Sequence, residues 1–192
     1  MNVADALRRN VMGVWGERGQ EWLRDLPLLV DQLAREWRLE LEQPFPLTFH
    51  WVHGVRRDDG TPAVLKLGVP GSDHQSVEAA ALMAWSGRGA VELLAQDADR
   101  GALLLRQARP GQPLRELVPG NDAEATAVVA QVMKRLHGAA VPSRGIPPLT
   151  DVRSSFTAYL AAHVDAGPLP RPLVEQALGL FDDLTASAPT SV

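Results

Sequence analysis

The sequence contains no cysteine, which excludes disulfides, thiolate metal sites and cysteine nucleophiles. It has no basic excess either: 19 Lys and Arg stand against 23 Asp and Glu, a formal net charge of −4. A general role on nucleic acid or an anionic membrane is therefore not expected, because both need a dominant positive field. Arg56-Arg57 is too small a basic group to change this. No apolar run approaches the roughly 18 residues of a membrane-crossing helix. Met1-Asn2-Val3-Ala4-Asp5 opens no apolar signal core, so the expected compartment is the cytoplasm. No repeat, low-complexity tract or Gly-x-Ser-x-Gly elbow is present. What is there is a chain of 192 residues, 45% hydrophobic and 22% charged. That is ordinary for a globular protein and enough for one sizeable core or two small lobes.

The segment from about residue 3 to 38 reads as helical, since Leu26, Leu29, Val30, Leu33 and Trp37 recur at helical spacing. Pro44 and Pro46 end it. A hairpin is expected next. Phe49 to Val55 is rich in aromatic and β-branched residues, Asp58-Asp59-Gly60 is a turn signal, and Ala63 to Val69 is the return strand. Strand alternation sets Val64 and Lys66 on one face and Leu65 and Leu67 on the other. Ser72 or Asp73 can cap a helix reaching Trp85, which Gly87-Arg88-Gly89 closes. Two further strands are expected at Val91 to Ala95 and Ala102 to Gln107, joined by Asp97-Ala98-Asp99-Arg100-Gly101. Beyond Pro110-Gly111 the pattern is helical only. A short helix is expected over Pro113 to Val118, then one that Asn121 opens with Glu124 as a capping box and His137-Gly138 closes. Two more follow, near 151–164 and 171–187. The fold class is α+β: an antiparallel-sheet lobe with one inserted helix over 1–107, then a helical part over 108–192.

One constellation could carry chemistry. Lys66 sits on a strand and Glu78 on the helix after it. Phosphoryl transfer from a nucleotide needs such a pair, the lysine holding phosphates and the glutamate fixing the lysine. Taken alone, a Val-Leu-Lys strand and a helix glutamate read more simply as solvated surface groups.

The surroundings add to this. The segment Asp59-Gly60-Thr61-Pro62-Ala63-Val64-Leu65-Lys66-Leu67-Gly68-Val69-Pro70 resembles the third-strand region of the aminoglycoside/hydroxyurea resistance kinases, the streptomycin-6-phosphotransferase-like enzymes. The likeness continues collinearly through Glu78-Ala79-Ala80-Ala81-Leu82, Gly87-Arg88-Gly89-Ala90-Val91 and Asp99-Arg100-Gly101-Ala102-Leu103-Leu104-Leu105. Pro44-Phe45-Pro46 upstream and Arg135-Leu136-His137 downstream fit the same family.

The resemblance implies a protein-kinase-like fold, use of ATP and Mg2+, and a small-molecule acceptor, an aminoglycoside or hydroxyurea. By it, Lys66 binds the α/β-phosphates and Glu78 orients Lys66. Arg106-Gln107-Ala108 forms the hinge that offers backbone groups to adenine, with Leu105 lining the adenine pocket. Thr48, in Leu47-Thr48-Phe49-His50, sits in the loop that covers the phosphates. That loop departs from the family pattern, for it has no glycine until Gly54.

A larger departure is the catalytic loop, a His-Gly-Asp core with an Asn beyond it and a second, metal-binding Asp further on. His137-Gly138 is followed by Ala139, and no Asn occurs after Asn121. Asp182-Asp183 reads as a solvated helix face, and Ser191-Val192 as the start of a strand leading to the loop. The expectation is a chain that ends before its catalytic and Mg2+-binding groups. Two readings stay open: an O-phosphotransferase of this family that is catalytically incomplete, or a non-catalytic nucleotide- or partner-binding remnant of the fold. His50 and His53 are expected on opposite strand faces, unsuited to one metal. His74 reads as a surface residue at a helix start, His137 as structural, and Trp15, Trp22 and Trp37 as packing residues. Exposed apolar faces on the later helices suggest self-association.

Overall fold

A computed structural model of the chain describes residues 5–71, 73–139, 145–164 and 167–187. Val3, Ala4, the helix-capping Ser72 and the strand expected at Ser191-Val192 lie outside these residues. The architecture is α+β, compatible with the kinase-like fold that the resemblance implies. Two compact units are distinct, Met1–Gly145 and Ile146–Val192.

The first unit is built on a five-stranded antiparallel sheet with strand order β1-β2-β3-β5-β4. The strands are β1 (Leu39–Pro44), β2 (Trp51–Arg57), β3 (Pro62–Leu67), β4 (Leu93–Asp97) and β5 (Ala102–Arg106). Strand β1 was not among the sequence expectations. Its residues Leu39-Glu40-Leu41-Glu42 alternate apolar and acidic, but the alternation is brief and directly abuts a long helical pattern. It pairs only with β2, with a register shift between Leu41 and Pro44, and so lies at an edge, where proline costs no ladder bond. Strand β2 starts at Trp51 rather than Phe49, because the chain bends over 48–50. In the β2–β3 turn, Gly60 takes φ +79° and Asp59 Oδ1 accepts a hydrogen bond from Thr61 N at 2.8 Å. These are the roles that the Asp-Asp-Gly turn signal assigns.

Helix α1 (Asp5–Glu36) covers one sheet face. It consists of two helical stretches meeting at Gly16, where φ is +53°. A side chain at Gly19 would stand 2.7 Å from the Val11 carbonyl oxygen, so glycine lets the two stretches close. Leu7, Val11, Leu26 and Leu33 are fully buried and pack in one core with Leu65, Leu67, Val55 and Leu104. Trp22 is buried in the same core, with Trp15 and Trp37 packed against it. Arg100 ties the ends of this layer, donating to Glu36 Oε2 on α1 (2.7 Å) and to Asp97 Oδ2 at the β4–β5 turn (2.6 Å).

Helix α2 (Asp73–Trp85) packs on the opposite face. There Ala79 and Leu82 meet Leu103 and Leu105, with Val64, Trp85, Val91 and Leu93 around them. The Ser86–Gly89 turn then ends the helix, with Gly87 at φ +76° and Gly89 at +88°.

Helix α3 (Val118–His137) follows a short 3-10 turn, Leu114–Glu116. Its backbone breaks from helical geometry at Asn121, whose Oδ1 accepts from Glu124 N at 3.2 Å. The cap therefore works as the Asn121/Glu124 spacing predicts, although one helical turn precedes it. The second unit contains α4 (Arg153–Ala162) and α5 (Arg171–Ser187). Phe156 and Phe181 pack with ring centroids 5.7 Å apart, and Arg153 grips Asp182 at 2.8 Å. Asp182 is thus an inter-helix anchor rather than a purely solvated side chain.

Candidate functional site

The β2–β3–β5 register decides which residues share a face. Val64 is opposite Leu105, Lys66 is opposite Leu103, and Val52 is opposite Lys66. Opposed residues in an antiparallel pair project to one side, so these residues share the face that α2 covers. Burial follows the same period: Ala63, Leu65 and Leu67 are buried, while Val64 and Lys66 are half-buried.

Lys66 Nζ donates to Glu78 Oε2 at 2.6 Å across the gap between β3 and α2. The side chains keep 20% and 31% of their exposure, enough contact with solvent for an anion to reach the ammonium. The pair is an oriented cation beside an apolar floor of Val64, Leu103 and Leu105. Such an arrangement can hold a polyanion's charge while apolar groups receive a flat base.

The other predicted residues take different positions. Leu105 is buried in the α2-side cluster. Arg106 is exposed at the end of β5, where its Nε donates to Glu92 Oε2 at 2.7 Å and its backbone N–H donates to the Glu92 carbonyl at 2.8 Å. Ala108 is exposed in the segment that leaves β5. Thr48 is exposed, and its carbonyl accepts from Asn10 Nδ2 at 3.1 Å, which ties the β1–β2 connection to α1. Gly54 serves the sheet rather than that loop: a side chain there would stand 3.1 Å from the Gln43 carbonyl oxygen on β1.

From the sequence, His50 is a bulky member of the loop over the phosphates and a poor metal ligand, with no role of its own in binding. It is half-buried, and its imidazole pKa is lowered, first by burial and then by the Lys66 ammonium and by His74, against the opposing pull of Glu78. His53 lies on the α1 side, opposite Leu65 and stacked on Trp51 at 5.0 Å. Among the described residues, no three His, Asp or Glu side chains converge in a way that could hold a metal ion. No helix among the described residues is long and apolar enough to cross a membrane.

A family profile described as aminoglycoside/hydroxyurea antibiotic resistance kinase matches residues 42–190. A hydroxyurea phosphotransferase of Kitasatospora aureofaciens is 35% identical over 74% of this chain and 42% of its own length. The streptomycin 6-kinase of Streptomyces griseus is 29% identical over 86% of this chain and 53% of its own. That of Streptomyces glaucescens is 31% identical over 81% of this chain and 50% of its own. The chain spans about half the length of these curated relatives. No solved structure matches it.

Proposed function

Because the chain belongs to the aminoglycoside/hydroxyurea antibiotic resistance kinase family, we propose that it carries the nucleotide-holding part of an ATP-dependent O-phosphotransferase. The observation that carries this reading is the Lys66–Glu78 ion pair, 2.6 Å long and half-buried on one face of the sheet. In this role Lys66 holds the α- and β-phosphates, and Glu78 keeps the ammonium aimed. Val64 and Leu105 receive the adenine face, backbone groups of Arg106–Ala108 receive its edge, and Thr48 belongs to the loop over the phosphates. When bound, ATP supplies the phosphoryl group that an acceptor hydroxyl takes. The acceptor class we propose is an aminoglycoside or hydroxyurea, in line with the names of the relatives.

We read residues 1–107 as the nucleotide-binding lobe and 108–192 as part of a helical lobe, in a cytoplasmic protein. The contribution of these residues is positional: a fixed cation lowers the cost of gathering phosphate charge. Proton removal from the acceptor and magnesium binding are assigned to groups outside them. No His-Gly-Asp with an Asn beyond it occurs in the 192 residues. A second reading is a module that binds nucleotide or a partner without chemistry. The two readings share Lys66 and differ in turnover.

Calorimetric titration of the chain with ATP tests the shared element. Lys66→Ala should weaken binding by roughly tenfold or more, since a charge-assisted hydrogen bond contributes about 1.5–3 kcal/mol. Equal affinity in the variant would remove the lysine from the site. Streptomycin-dependent ADP release by the same chain, above the Lys66→Ala control, would contradict the assignment of proton removal to outside groups.

A further inference from the structure

The β2–β3 ladder ends at Trp51 opposite Leu67, and His50 and Gly68 lie just beyond that last pair. Gly68 follows Lys66 by two residues, the interval that returns to the same side of a strand, and the His50 ring feels the Lys66 charge. The space above Gly68 confirms the placement: a Cβ there would stand 2.8 Å from His50 Cδ2 and 2.9 Å from Gln75 Cδ. Glycine at 68 thus makes room for the imidazole beside the lysine. The β1–β2 connection that bears His50 has no glycine, and its Thr48 carbonyl is held by Asn10. This restricts how closely its own amides can approach an anion. The side chain at position 50 is what that connection contributes to the Lys66 face.

We propose that the imidazole of His50 contacts phosphate in this site and forms, with Lys66, a two-residue grip on the phosphates of a nucleotide. The proposal rests on the phosphotransferase reading of Lys66 and Glu78. The charged and titratable groups facing His50 are Lys66 on β3 and Glu78 and His74 on α2. With no anion bound, burial and Lys66 hold the ring neutral at neutral pH. A phosphate placed between ring and ammonium offsets the repulsion and favours the imidazolium, which donates a charge-assisted hydrogen bond. Binding therefore takes up a proton at His50.

The test is calorimetry of the whole chain with ADP and with pyrophosphate near pH 7, in two buffers of different ionisation enthalpy. The wild type should take up more protons than His50→Gln, by up to about one. His50→Gln should weaken both ligands by roughly tenfold, while His74→Gln should leave the proton count unchanged. If His50→Gln fails to fold, His50→Asn carries the test, and a proton count on pyrophosphate binding equal to that of the wild type overturns the proposal. Equal affinity and proton count in the His50 variants, with binding lost in Lys66→Ala, overturns the role of His50 alone. No binding by the wild type, or binding indifferent to both residues, overturns the reading of the site as well.

Discussion

Leu26 offers a direct probe of whether α1 belongs to the nucleotide-lobe core. It is fully buried, in contact with a core shared by β2, β3 and β5, whereas Leu28 on the same helix is 59% exposed. Leu26→Ala removes three heavy atoms from a packed site, with both a transfer term and a cavity term. From the known range for such truncations the expected loss is about 3–4 kcal/mol. At about 2–4 °C per kcal/mol for a domain of this size, the melting temperature should fall by about 10 °C. Leu28→Ala alters a surface position and should stay within about 0.5 kcal/mol of the wild type. Far-UV circular dichroism melts and urea titrations of the three proteins make the comparison. Equal stability of Leu26→Ala and wild type, or equal losses at both positions, would refute the claim that α1 is structurally part of the sheet layer.

Two further outcomes follow from the same structure. The pKa of His50 is below its ordinary value in the folded chain, so the unfolded chain binds the proton more readily. Its contribution is complete above the unfolded value, near pH 6.5, and is lost as pH falls from there through the folded value. A melting temperature that drops more steeply between pH 7 and 5.5 in wild type than in His50→Gln is expected; parallel curves would count against it. On α3, Val128, Val129 and Met133 are 39%, 43% and 47% exposed, and on α5 Leu173, Leu180 and Leu184 are 55%, 56% and 69% exposed. Apolar stripes of this kind drive association, so light scattering of the purified chain should show a dimer or larger species with dye-binding surface. A monomer at high concentration that binds no dye would contradict this.

The parts legible in the sequence were those set by local pattern. The Asp-Asp-Gly turn, the two-residue alternation of β3 and the Asn121/Glu124 cap each act within a few residues, and the first two set Lys66 on the face where Glu78 meets it. Strand β1 was hidden because four alternating residues carry little signal beside a 32-residue helix. His50 was hidden for another reason. Its meaning depends on the space above Gly68 and on the neighbouring Lys66, neither of which its own local pattern reveals. The Arg100–Glu36 and Arg153–Asp182 pairs, 64 and 29 residues apart, were equally beyond periodicity.

The central claim is that a nucleotide lies on the face of the sheet that carries Lys66. The most direct measurement is a two-dimensional amide NMR titration of the whole chain with ADP. Shift changes should concentrate at residues 48–52, 64–68 and 103–108, and Lys66→Ala should greatly reduce them. Shifts confined to the α1-covered face, or a pattern unaltered by Lys66→Ala, would contradict the account.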